Sequence, residues 1–198
     1  VFSLIAVAAA DQLTLASGET LNGELLNDSL RLKTLYAELN LESKYLIRIE
    51  KTEAGAFSLQ AVENNKFTGE LLTTLQFAVN GTTRTVEPEA LSSVYFSKRN
   101  SFNAKQETAV TLTNGDFFLG SMVEEAISIK SSVGGAINLN LSQITALEYL
   151  AAEELFLISR QNGEQIKADL AQEKLIIWPA AAEIIELDLA YLERMSFD

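Results

Sequence analysis

The sequence predicts an all-β protein built from four tandem repeats of about 40 residues that pack in pairs. Three observations support this fold class. Apolar and polar residues alternate over short segments, as is typical of half-buried strands. A polar turn followed by a small residue five positions later recurs along the chain. The segments 13–50 and 110–149 also resemble each other over their whole length.

The opening of each repeat is predicted to be a β-hairpin. Its turn carries a residue able to adopt a positive φ, and a second small residue follows in the next strand. In the four repeats these pairs are Gly18 and Gly23, Asn64 and Gly69, Gly115 and Gly120, and Gly163 and Ala168. Since glycine inside a strand is typical of a bend, we expect the second strand of each repeat to bend.

Five short strands are expected in each repeat. In the first repeat they are predicted at residues 13–16, 20–26, 29–34, 37–41 and 46–50. Polar turns separate them, one at Asn27-Asp28, and a corresponding hairpin turn is expected at Val133-Gly134-Gly135 in the third repeat. Five bent strands favour a small antiparallel barrel in each repeat.

The closing part of each repeat is predicted from an alignment of the four segments. Its first column holds Leu41, Pro88, Leu141 and Leu189, and the next holds Lys44, Leu91, Ile144 and Leu192. The last two columns hold Ile47, Val94, Leu147 and Met195, followed by Ile49, Phe96, Tyr149 and Phe197. The segment 180–195 contains good helix formers, but this alignment favours a strand over 185–189. Single helical turns are expected at 142–145 and 190–193.

A repeat of this size buries too little apolar surface to be stable alone, and the chain has no cysteine for disulfides. The repeats are therefore expected to share cores in two halves, residues 11–96 and 109–198. Residues 97–108 lack a pattern and are predicted to form a linker.

The first ten residues, VFSLIAVAAA, are apolar and end in small residues. This pattern is typical of the end of a secretory signal and predicts an exported protein, either periplasmic, on the cell surface or extracellular. The run is too short to span a bilayer. The alternative is an assembly strand that packs on its own or a neighbouring subunit. Its predicted interface residues are Val1, Phe2, Leu4, Ile5 and Val7.

Composition excludes several function classes. The chain has 198 residues, no histidine, no cysteine and a formal net charge of −12. Catalytic triads that need histidine, zinc fingers and iron–sulfur clusters are therefore excluded. The acidic charge disfavours nucleic acid and anionic membranes. The basic cluster of Lys98, Arg99 and Lys105 is interpreted as part of the solvated linker.

No catalytic, metal or cofactor site is predicted. The acidic pairs Glu87/Glu89, Glu124/Glu125 and Glu153/Glu154 are interpreted as solvated positions, since neighbouring residues do not face each other across a cleft. Asn27-Asp28 and Asn114-Gly115-Asp116 lack the ligand density of a calcium loop and are assigned to turns. Trp178 is the candidate binding residue, for a glycan or a protein, with packing between repeats as the alternative.

The hairpin pattern with Gly18 and Gly23, followed by alternating strands, resembles the small β-barrel of Sm-like and SH3-like proteins. It is also similar to repeats of exported bacterial proteins that open with LTLxNGDxLxG, here at Leu13-Thr14-Leu15 and at Val110-Thr111-Leu112. The resemblance implies small barrels packed in pairs. It does not imply the RNA site of Sm proteins, because Asn27-Asp28-Ser29 and Lys44-Tyr45 replace its Asp-x-x-x-Asn and Arg-Gly.

These observations lead to two expected functions. The first is a non-enzymatic, exported β-repeat protein with a structural role, which self-associates through its N-terminal segment or through strand edges into assemblies such as filaments. The alternative is an envelope module that binds a glycan or a protein through exposed aromatic side chains such as Trp178.

Overall fold

A computed structural model of the chain describes residues 10–97, 100–102, 107–130 and 135–198. Within these ranges the protein is all-β, every strand pairing is antiparallel, and no α-helix occurs. Accordingly, the described residues include no helix long and apolar enough to cross a membrane. The predicted interface residues Val1, Phe2, Leu4, Ile5 and Val7 lie outside the described residues, as do Lys98, Arg99, Lys105, Val133 and Gly134.

Ten strands lie before residue 97 and ten after residue 107. The first ten are β1 (Asp11–Leu15), β2 (Thr20–Leu25), β3 (Ser29–Lys33), β4 (Glu38–Glu42), β5 (Leu46–Lys51), β6 (Phe57–Ala61), β7 (Lys66–Leu71), β8 (Leu75–Val79), β9 (Thr82–Val86) and β10 (Leu91–Tyr95). The second ten are β11 (Thr108–Leu112), β12 (Phe117–Met122), β13 (Ala126–Lys130), β14 (Ala136–Asn140), β15 (Ile144–Leu150), β16 (Leu155–Arg160), β17 (Gln165–Ala168), β18 (Lys174–Pro179), β19 (Ile185–Asp188) and β20 (Leu192–Phe197).

The five strands predicted for the first repeat are confirmed as β1–β5, with ends that differ by one or two residues. A short 3₁₀ turn precedes the last strand of each group of five, at Ser43–Tyr45, Pro88–Ala90, Leu141–Gln143 and Leu189–Tyr191. The helical turns expected near residues 142 and 190 are therefore confirmed, one residue earlier than predicted. The strand expected at 185–189 is confirmed as β19, so this segment is not a helix.

The predicted alignment of the closing strands is wrong by two residues in the first repeat. The residues that follow the four 3₁₀ turns are Leu46, Leu91, Ile144 and Leu192, and three positions later lie Ile49, Val94, Leu147 and Met195. All eight are buried, whereas Ile47 is 43% exposed. The shift of two residues arises because Pro88, Leu141 and Leu189 begin the 3₁₀ turns of the other repeats, whereas the turn of the first repeat begins at Ser43 and not at Leu41.

Each half is organised around one meandering sheet. In the first half the order is β2, β1, β10, β5, β6, β7, and in the second it is β12, β11, β20, β15, β16, β17. The centre of each sheet joins a strand from the beginning of the half to one from its end. Each half is therefore tied together by long-range pairing rather than by neighbouring hairpins alone.

The sequence led us to expect one small barrel per repeat. The described strands do not close into such barrels. The β3–β4 hairpin pairs with β7, and the β8–β9 hairpin pairs with β2. The β18–β19 hairpin pairs with β12 in the same way. The β13–β14 hairpin meets the segment after β17 through the Ile129–Leu170 bridge. Hairpins are thus exchanged between the two five-strand groups of each half.

Glycine makes this exchange possible. The backbone of each exchanged hairpin passes very close to the second strand of another group's opening hairpin, at the position where that strand carries glycine. A Cβ atom at Gly23 would lie 1.9 Å from the carbonyl oxygen of Ala78, and one at Gly69 would lie 2.3 Å from that of Lys33. At Gly120 the corresponding distance, to the carbonyl oxygen of Trp178, is 2.6 Å. The glycines that were expected to mark a bend therefore mark a close backbone approach.

We expect Gly69→Ala to lower the free energy of unfolding by about 3 kcal/mol, because the new methyl group displaces the backbone of β3. The matched control is Ala168→Gly at the corresponding position of the fourth group, which should cost about 1.5 kcal/mol through backbone entropy and the loss of one buried methyl group. Urea unfolding of both variants measures the difference. Equal losses would contradict the close-approach explanation.

Candidate functional site

The described residues contain two candidate sites: a buried carboxylate where the halves meet, and an exposed apolar sheet face around Trp178. The halves meet where Phe117 of β12 pairs with Lys66 of β7, and where Leu41 of β4 bridges to Ala182. The rings of Phe67 and Phe118 stack across this contact with their centroids 5.9 Å apart. Apolar packing therefore surrounds the polar groups at the centre of the contact.

Asp116 is completely buried in this contact. It follows Gly115, whose φ of 80° closes the tight turn between β11 and β12. Its Oδ2 accepts hydrogen bonds from the Tyr36 hydroxyl at 3.2 Å, the Thr68 backbone N–H at 2.8 Å and the Asn114 side-chain amide at 3.0 Å. Its Oδ1 has no partner among the described residues.

Asn65 occupies the corresponding turn of the first half and makes the reciprocal contact. It is completely buried and follows Asn64, which has a φ of 63°. Its Oδ1 accepts from the backbone N–H of Leu119 at 2.7 Å, and its side-chain amide donates to the carbonyl oxygen of Val62 at 2.7 Å. Each turn side chain thus satisfies a backbone amide of the other half, so the two halves are related by a local twofold arrangement.

This buried cluster holds the halves together and offers no access to a substrate. Tyr36 is 3% exposed and its ring lies 6.4 Å from that of Phe118. Burial raises the pKa of the Tyr36 hydroxyl well above its usual value, and the negative charge of Asp116 and the hydrogen bond to it raise that pKa further. The Asn114-Gly115-Asp116 turn, considered above for calcium, therefore directs its carboxylate into the protein.

We expect Asp116→Ala to destabilise the protein by about 3 kcal/mol, because it leaves the Tyr36 hydroxyl and the Thr68 amide without an acceptor. Asp116→Asn keeps an acceptor oxygen and copies Asn65, so it should cost about 1 kcal/mol or less. Chemical denaturation of both variants tests this, and similar losses would show that the hydrogen bonds are not the cause.

The raised pKa of Tyr36 predicts a loss of stability in alkaline solution. The unfolded chain ionises this tyrosine near pH about 10, while the folded chain keeps it neutral to higher pH. The contribution of the neutral Tyr36 hydroxyl to the free energy of unfolding is complete below pH about 10 and is lost as the pH rises above that value. Unfolding free energies measured at increasing pH should therefore fall more steeply for the wild type than for Tyr36→Phe. Parallel curves would contradict this.

The second feature is a sheet face around Trp178, which we call the Trp178 face and define as Val123, Ile176, Trp178 and Ile184. Along β18, the buried Leu175 and Ile177 alternate with the exposed Ile176 and Trp178. Trp178 is 58% exposed and Ile184 is 56% exposed. The N–H of Val123 donates to the carbonyl oxygen of Ile176 at 3.1 Å, which sets Val123 beside it.

The Trp178 side chain is held in place. Its indole Nε1 donates to the carbonyl oxygen of Ala182 at 3.1 Å, across the turn between β18 and β19. The turn itself is held against the first half, because the N–H of Glu42 donates to the carbonyl oxygen of Ala181 at 2.9 Å. The exposed ring is therefore a fixed platform rather than a mobile side chain.

At the positions of Ile176, Trp178 and Ile184, the other three groups carry charged, polar or small side chains. The position of Val123 is apolar in two other groups as well, where the exposed Leu26 and Leu72 occupy it. The fold requires only every second residue of these strands to be apolar, and those are the buried ones. The outward residues are Arg31 and Lys33 on β3, Gln76 and Ala78 on β8, and Ser128 and Lys130 on β13. The combination of Ile176, Trp178 and Ile184 therefore has no apolar counterpart in the corresponding strands of the other groups.

Two concave regions lie near these features. A groove of about 500 Å³ separates the β3–β4 turn from β19, with the exposed Leu35 and Ile184 on its two sides. A second groove of about 950 Å³ lies beside Ala10 and Asp11, where the apolar N-terminal residues join the described chain.

Within the described residues, no group of three or more potential metal ligands is present. The interpretation of Glu124 as a solvated position is wrong, because its Oε1 accepts from the Ile176 N–H and its Oε2 is buried. Glu153 forms an ion pair with Lys167, and Glu87 accepts a hydrogen bond from Thr74 at 2.6 Å. Asn27 joins β2 to β8 by bonding the backbone of Thr74 and Gln76. Sequence reasoning missed the joint burial of Asn65 and Asp116, because the two residues are far apart in the chain and no local pattern links them.

Comparison of the chain with protein-family models, with curated proteins and with solved structures finds no match.

Proposed function

We propose that this protein is a non-enzymatic, exported β-repeat protein that serves as a binding module of the cell envelope or the extracellular space. The Trp178 face is its binding surface. A single observation carries this proposal: Ile176, Trp178 and Ile184 are apolar and exposed, although the corresponding residues of the other groups are charged, polar or small. Exposed apolar patches of this kind commonly mark sites of protein association.

The architecture that we propose for this module is four repeats derived from an SH3-like or Sm-like unit. Each group has four strands, a 3₁₀ turn and a final strand, in the order expected for that unit. Exchange of the third and fourth strands between neighbouring repeats would explain why the pairs share a core. The proposed export rests on the apolar run at residues 1–10, which ends in Ala8-Ala9-Ala10.

A second candidate is a structural role through self-association. The observation that favours it is the reciprocal contact between β7 and β12, in which two similar hairpins join edge to edge. The corresponding hairpin edges at Thr20 and Gln165 lie at the outer ends of the molecule and could join copies in the same way. The exposed ion pairs of Glu19 with Arg84 and of Glu164 with Arg160 lie beside those edges and weaken this candidate.

Site-directed photo-crosslinking distinguishes the two candidates. Because the chain has no cysteine, Ile184→Cys introduces one thiol on the Trp178 face, and Thr83→Cys places a control thiol at the matching position of the polar face on β9. Each variant, labelled with benzophenone maleimide, is mixed with the envelope and secreted fractions of the source organism. We expect Ile184→Cys, and not Thr83→Cys, to give an adduct with another protein.

Other results of this experiment have definite meanings. Adducts between two copies of the chain would favour self-association. Identical adducts from both labelled variants, or none from either, would contradict binding at the Trp178 face.

A further inference from the structure

We infer that the Trp178 face takes an apolar protein segment flanked by lysine or arginine, an inference that rests on the binding role proposed above. The reasons lie in the charge around the face, in the polar groups already used within the chain, and in the groove beside β19.

Carboxylates outnumber bases around the face and its groove. The charged residues there are Glu38, Glu124, Glu183, Glu186 and Asp188, against Arg31, Lys33 and Lys174. Arg31 pairs with Glu38, and Lys174 pairs with Glu186 at 2.9 Å. These pairs leave three carboxylates, those of Glu124, Glu183 and Asp188, against the single base Lys33. A ligand that covers the apolar centre would therefore gain from positive charges at its ends.

Three polar groups at the face are used within the chain, and the Glu124 Oε2, which has no partner among the described residues, is buried and does not face a ligand. This arrangement disfavours a glycan. The Trp178 Nε1 bonds to Ala182, and the Glu124 Oε1 accepts from the Ile176 N–H at 2.7 Å. The Asn40 amide donates to the Glu183 Oε1 at 3.0 Å. Because a sugar is bound through many hydrogen bonds as well as by stacking, the area left for a ligand favours apolar side chains.

A second copy of this chain fits the face poorly. Face-to-face association would bring the same carboxylates together, and each copy carries a formal net charge of −12. The groove of about 500 Å³ between Leu35 and Ile184 extends the apolar surface and has room for a few side chains of a peptide. These features together favour a basic partner over a second copy.

The test uses the intact protein and two synthetic peptides with the same central run of valine and leucine. One peptide is flanked by lysines and the other by glutamates, and neither contains an aromatic residue. Trp178 is the single tryptophan of the chain, so its fluorescence reports directly on the face. We expect the lysine-flanked peptide to shift the emission to shorter wavelength and to bind roughly tenfold more tightly than the glutamate-flanked peptide. Added salt should reduce this ratio.

Variants separate binding at the face from general attraction to an acidic protein. Ile176→Gln copies Gln76 and Ile184→Thr copies Thr83, and neither changes the charge. Each should weaken binding of the lysine-flanked peptide roughly fivefold or more, while Ile47→Gln, at an exposed residue of β5, should leave it unchanged. Circular dichroism checks that the variants fold.

The inference is overturned if both peptides bind equally, or if Ile176→Gln and Ile184→Thr bind the lysine-flanked peptide as the wild type does. If crosslinking at Ile184→Cys captures a protein but the two peptides bind with equal affinity, the proposed binding role is supported and the preference for a basic partner is rejected. If the crosslinking also fails, the binding role itself is rejected.

Discussion

The close passage of one backbone over another at Gly23 and Gly69 is the constraint on which the architecture of the first half depends. Each glycine lets an exchanged hairpin approach to a distance at which no Cβ atom could be accommodated. Without this approach, the β3–β4 hairpin could not pair with β7, nor the β8–β9 hairpin with β2. The exchange in turn removes the need for either group of five strands to be stable alone, which a chain without disulfides could not achieve at that size.

The same hairpin turns join the two halves. The residue after the turn is buried at the centre of the chain, as Asn65 and Asp116, but is an exposed glutamate at the outer ends, as Glu19 and Glu164. A short side chain reaches the backbone amide of the opposite hairpin, and burying a carboxylate is tolerated because Tyr36, Thr68 and Asn114 all donate to it. The residue that follows the hairpin turn therefore joins the halves where it is buried, and is solvated where the hairpin lies at an outer edge.

The Trp178 face differs from the corresponding faces of the other groups in the residues that it exposes. The strands that correspond to β18 in the other groups, β3, β8 and β13, place polar or small residues outward and apolar residues inward, which is sufficient for folding. On β18 both sides are apolar, and the outward ring is fixed by its bond to Ala182. Folding does not require an exposed tryptophan at this position, and this is why the Trp178 face is the basis of the binding role proposed above.

The sequence by itself determined the local structure. Alternation located β1–β5 within one or two residues, and the spacing of Gly18 and Gly23 located the hairpin turn, because both signals depend only on neighbouring residues. Sequence patterns also drew attention to Trp178, but they did not distinguish an exposed ring from a packed one. Only the tertiary structure decided which hairpin pairs with which strand, that Gly69 marks a crossing rather than a bend, and that Asn65 and Asp116 meet across the halves. Partner choice among similar strands is set by long-range contacts, and a repeated pattern presents the same local signal to every possible partner.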